Sequence, residues 1–72
     1  MFVGRIYTDH AVTRMNERGF TPTVIENAIR SGQICDNKVL GRLTHYDSLN
    51  NISVITEKVT GVVVTIFNGL VD

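Results

Sequence analysis

At residue 33 the spacing of the apolar side chains changes from helical to alternating, and that change limits the class of fold open to the chain. Upstream, Val24, Ile25, Ala28 and Ile29 form one stripe, with Glu26, Asn27 and Arg30 outside it. Thr21 followed by Pro22 is a strong start signal, because a threonine oxygen accepts from the free amides of the first turn and proline suits the first helical position. Gly32 is the expected stop, so a helix is predicted over residues 22–31. An earlier helix is predicted over residues 10–19, with Thr8 or Asp9 as its cap and Gly19 as its left-handed stop. Each helix is about ten residues long, too short to persist without packing.

Residues 2–7 carry Phe2, Val3, Ile6 and Tyr7 around Gly4 and read as a short strand or an extended lead-in. Downstream, strands are predicted over residues 33–36, over 39–47 with an interruption at Gly41, over 52–57 and over 62–67. Residues 48–51 form a polar turn, and the Thr60-Gly61 pair suits a tight hairpin between the last two strands. Residues 62–67 are apolar on both alternating faces, as in a strand covered on both sides. A regular alternation puts Thr65 with Val63 and Phe67, and Val62, Val64 and Ile66 on the other face. The expectation is a single α+β domain over residues 1–72, two N-terminal helices packed on a three- to four-stranded antiparallel sheet.

The 72 residues are near the small end of what folds without metal or disulfide support, and fit either a marginal monomer or an obligate partner. An apolar fraction of 43% is enough for a core, and a charged fraction of 19% argues against disorder. The single Cys35 excludes an intramolecular disulfide, and His10 and His45 are too far apart for a recognisable zinc spacing, so neither metal nor cofactor is expected. No apolar run approaches the roughly 20 residues of a membrane span, and the N-terminus lacks the layout of a signal peptide. The expected place of action is the cytosol. Seven basic and seven acidic residues cancel, which counts against a nucleic-acid partner unless Arg5, Arg14, Arg18 and Arg42 converge on one face.

The densest chemistry lies in residues 10–19, H-A-V-T-R-M-N-E-R-G. At about 100° per residue, His10, Arg14 and Arg18 share one side of the helix and border the arc of Ala11, Met15 and Val12. The row therefore sits at the rim of whatever the helix packs against, where the same three residues also fit a solvated or ion-paired surface. A histidine can move protons near neutrality, and arginines are fixed cations that can meet charge on a phosphate. Thr65 can orient such a group by hydrogen bonding, or act simply as a strand former. His45 and Tyr46 point to opposite faces of the strand predicted over residues 39–47, so only one can join a given site. Tyr46 and Tyr7 are each candidates to stack on a base.

The order H-A-x-x-R-x-x-x-R-G, then Phe20, a capped second helix ending with Ile29 and Gly32, and a last strand containing Thr65 resembles the bacterial family called domain of unknown function 4258. It is also similar to the C-terminal ribonuclease domains of contact-dependent inhibition and other polymorphic toxins, which share the barnase, EndoU, colicin and RelE-like (BECR) fold. The resemblance implies an α+β fold and, in the toxin relatives, a metal-independent ribonuclease cutting tRNA or other RNA. It points to His10, to Arg14 or Arg18, and to Thr65 as the site, with RNA as substrate and an immunity protein or antitoxin as partner. The alternative is a non-catalytic protein-interaction module of the same fold. Convergence of Thr65 and His45 with His10 in one concave pocket would favour the enzyme, and scatter would favour the interaction module.

Overall fold

A computed structural model describes residues 5–69. The expected strand or lead-in over residues 2–7 falls partly outside these. Within them, Tyr7 makes a parallel bridge to Val63, with the Val63 amide donating to the Ile6 carbonyl at 2.9 Å and the Thr8 amide to the Val63 carbonyl at 3.0 Å.

Helices α1 (Asp9–Arg18) and α2 (Pro22–Ser31) precede strands β1 (Gln33–Asp36), β2 (Arg42–Asp47), β3 (Ile52–Glu57) and β4 (Val63–Asn68). The strands form one antiparallel sheet in the order β1-β2-β3-β4, the α+β meander that the change of period implied. The predicted 39–47 strand begins only at Arg42. Gly41 has a φ of +87°, which forces a turn and leaves Val39 and Leu40 exposed.

Local chemistry sets the helix ends. Thr21 accepts from the Val24 amide at 3.3 Å, and Gly19 closes α1 at a φ of +71°. Gly32 departs from the expected left-handed stop: its φ of −71° and ψ of 163° are extended backbone open to any residue. Space requires the glycine there, since an added Cβ would lie 2.3 Å from the Ala28 carbonyl oxygen and 2.7 Å from that of Tyr46.

Thr8 ties α1 to the sheet. Its hydroxyl oxygen accepts from the Ala11 amide at 3.1 Å while its O–H donates to the Val64 carbonyl at 2.7 Å. Thr8→Ala is therefore expected to destabilise the domain by about 2 kcal/mol in urea unfolding, through loss of a cap and of one further hydrogen bond. Thr8→Ser, which keeps both groups, should retain most of that.

Both helices lie on one face of the sheet, α1 over β4 and α2 over β2 and β3. The core between the layers is Ala11 and Met15 from α1, Ile25 and Ala28 from α2, and Ile52, Val54, Val63 and Ile66 from the sheet, with Tyr7, Phe20, Val24 and Ile29 at its margin. Paired residues share a face, so the His45–Val54–Ile66 row looks toward the helices and the Thr44–Ile55–Thr65 row looks away. Val63 does not sit with Thr65 as simple alternation predicts. A register shift between Ile55 and Thr56 pairs Thr56 with Val63 and so turns Val63 into the core.

Candidate functional site

The packing of α1 sets the histidine–arginine row. Ala11 and Met15 point into the core, so His10, Arg14 and Arg18 run along one flank of the helix. His10, in the first turn, is exposed and makes no side-chain hydrogen bond among the described residues. Arg14 is half-buried. Arg18 is exposed and donates to the amide oxygen of Asn68 at the end of β4.

Among the described residues three buried side-chain polar atoms lack a hydrogen-bond partner: Arg14 Nε, His45 Nδ1 and Thr65 Oγ1. All three belong to residues that sequence reasoning selected. Such orphans are uncommon in native proteins, because each forfeits its hydration without a replacement bond, and each one asks for a reason.

Thr65 and the row on α1 stand on opposite sides of β4. Thr65 pairs with Ile55 on the face away from the helices and is 9% exposed. β4 is the last strand of the sheet, and beyond the Tyr7 bridge at Val63 no described strand pairs with its outer edge. The strand's own backbone is thus what separates the Thr65 hydroxyl from the α1 side.

His45 is on the helix side but on β2, two strands from the β4 strand that α1 covers, in the part of the sheet beneath α2. It is 6% exposed, and its Nε2 is 2.9 Å from Thr56 Oγ1. Burial, reinforced by the Arg5 cation, pushes its pKa below the ordinary histidine value. The ring belongs to the interior and opens onto neither of the two main clefts.

The larger cleft, about 540 Å³, is bounded by Asn27, Gly32, Tyr46 and the turn from Asp47 to Asn50. Tyr46 donates its hydroxyl to the Asn51 amide oxygen at 3.2 Å. The smaller, about 390 Å³, lies among Arg5, Tyr7, Pro22, Glu26 and Arg30. Here Arg5 grips Glu26 through two hydrogen bonds, Nε at 2.9 Å and a terminal nitrogen at 2.7 Å, a forked pairing that holds the Glu26 carboxyl below its usual range. Desolvation raises the pKa of the Tyr7 phenol beside it. His10, Arg14, Arg18 and Thr65 line neither cleft.

Arg5 does not converge with Arg14 and Arg18, since Glu26 holds it. Arg42 stands beside Glu57, 3.7 Å away, on β2. The Arg5–Glu26 and His45–Thr56 pairs escaped the sequence reading. Their partners are 21 and 11 residues apart, and no local pattern announces contacts that only the register and helix docking create. Among the described residues no three His, Cys, Asp or Glu side chains gather as a metal would require, and no helix is long and apolar enough to cross a membrane.

Fold and site together define a small α+β domain with a histidine–arginine flank on its first helix and an alcohol across the edge strand. The chain belongs to the family described as Domain of unknown function (DUF4258), whose model matches residues 7–68. Comparison with curated proteins and with solved structures gave no match.

Proposed function

We propose that the domain is a metal-independent ribonuclease of toxin type, acting on RNA in the cytosol and held in check by an immunity protein or antitoxin. The observation that carries this reading is the pair of orphaned polar atoms, Arg14 Nε and Thr65 Oγ1, on either side of β4. In this reading a phosphodiester at the outer edge of β4 supplies the missing partners, the arginine reaching it from the helix side and the threonine from the far side, once the edge opens enough to uncover two atoms that are enclosed in the free domain.

In this reading His10 takes the proton of a 2′-hydroxyl, and the 2′-oxygen attacks the adjacent phosphorus. The P–O5′ bond breaks, and the departing 5′-oxygen receives the proton back from the imidazolium. The products are a 2′,3′-cyclic phosphate and a 5′-hydroxyl. Arg14 and Arg18 meet the charge that grows on the non-bridging oxygens, a role for which the rigid guanidinium fork suits better than an ammonium. Tyr7 and Tyr46, each at the wall of a cleft, are available to stack on flanking bases.

Arg14→Lys tests the fork directly, because it keeps the charge and removes Nε. Cleavage of a mixed RNA substrate in EDTA is expected to fall at least about tenfold, with the urea midpoint unchanged. Unaltered cleavage would remove Arg14 from the mechanism.

The exposure of His10, and its absence from both clefts, favour a second reading, a protein-interaction module in which the α1 flank makes ion pairs with a partner. Under that reading the purified domain leaves RNA intact at any concentration, and charge reversal at Arg14 and Arg18 weakens capture of the partner instead.

A further inference from the structure

We infer that the His45–Thr56 pair, which joins β2 to β3 on the face that α2 covers, is a proton-sensitive latch: protonation of the ring loosens α2 from the sheet. The ring lies on the face of β2 that α2 covers, is 6% exposed, and makes one hydrogen bond among the described residues, to the Thr56 hydroxyl at 2.9 Å. A neutral imidazole needs only one N–H partner, and the tautomer protonated on Nε2 donates to Thr56 Oγ1 and leaves Nδ1 an unprotonated acceptor, the cheaper kind of orphan. An imidazolium carries two N–H donors. The second would be a charged donor buried with no acceptor.

The surrounding charges do not relieve it. The N-terminal segment contributes Arg5, a cation, and Tyr7, a half-buried phenol that makes no hydrogen bond to the ring, and α2 contributes Glu26, whose two oxygens are already bonded to Arg5, together with the exposed Arg30. From β3 the facing groups are Val54 and Thr56, and from β1 Ile34, with Asp36 exposed at the strand's end. None of the charged groups offers the second N–H a free acceptor. Uptake of a proton therefore favours any state in which α2 lifts and water reaches the ring.

The sign follows from linkage. The folded state binds the proton less readily than the opened one, so the latch contributes its full stability above the ordinary histidine value of about 6.5 and loses it as pH falls below that. Because α2 supplies walls to both clefts, with Asn27 in each, its release opens both clefts at once.

Amide exchange read residue by residue between pH 7 and pH 5, corrected for intrinsic rates, tests this. Protection of the Ile25 and Ala28 amides is expected to fall at least about tenfold while α1 amides change less, and His45→Gln should abolish the difference. A parallel fall across the whole domain, or an undiminished difference in His45→Gln, overturns the latch. Should that variant fail to fold, the His10→Gln protein, whose one imidazole is His45, decides by NMR titration of the ring. A ring that stays neutral down to pH 5 while the fold persists supports the latch, and one that titrates at the ordinary histidine value overturns it.

Discussion

Gly32→Ala is expected to cost about 3 kcal/mol or more, a large share of the stability open to a 72-residue domain at roughly 0.05–0.15 kcal/mol per residue. The added methyl would stand 2.3 Å from the Ala28 carbonyl oxygen and 2.7 Å from that of Tyr46. Both are backbone atoms, one from the last turn of α2 and one from β2, so neither can swing aside as a flexible side chain would. The helix must shift away from the sheet, and Ile25 and Ala28, fully buried, move with it. Gly19→Ala supplies the contrast. That glycine has a φ of +71° but nothing within 4 Å of its would-be Cβ, so only the left-handed conformation resists substitution, at about 1 kcal/mol. Urea midpoints of the two variants separate the two causes. Equal losses would refute the account of why α2 ends where it does.

The second large effect concerns chemistry without stability. His10 is exposed, and its side chain is bonded to no described residue, so His10→Ala should leave the urea midpoint within about 0.5 kcal/mol of wild type. If His10 carries the proton in RNA cleavage, the same substitution lowers the cleavage rate by about a hundredfold to ten-thousandfold, the usual worth of a positioned acid–base group. Few residues offer so clean a separation. Arg14 is half-buried and Thr65 almost wholly so, and truncating either to alanine removes packing along with chemistry, whereas Arg14→Lys keeps the aliphatic stem and the charge.

The helices were legible from the chain because their ends are written locally. Thr8, Gly19, Thr21 and Pro22 each act within one turn of where they stand, and the structure uses all four as expected. The four strands were legible from alternation and turn residues, and their order follows from short connections. What alternation could not supply was the bulge opposite Ile55 and Thr56, which puts Val63 in the core and leaves Thr65 on the far face. Gly32 was found for the wrong reason, since sequence reveals a glycine but not the two carbonyls that crowd it.

The candidate site divides in the same way. The shared flank of His10, Arg14 and Arg18 is a property of helical spacing and could be read directly. The facing of His45 depended on the β2–β3 register and on which face the helices cover, neither of which is encoded in one strand. Arg5 was counted among four arginines that might converge, but a glutamate 21 residues away claims it. The neutral composition is consistent with that outcome: two of the four cations stand beside carboxylates, leaving the α1 pair apart.

The most direct measurement is the mapping of product ends after the purified domain, free of any partner protein, is incubated with RNA in EDTA. The proposed chemistry predicts 2′,3′-cyclic phosphate and 5′-hydroxyl termini from the wild-type protein and intact RNA from His10→Ala at equal concentration and equal stability. Intact RNA from the wild type, or the same termini at the same rate from the variant, would contradict it.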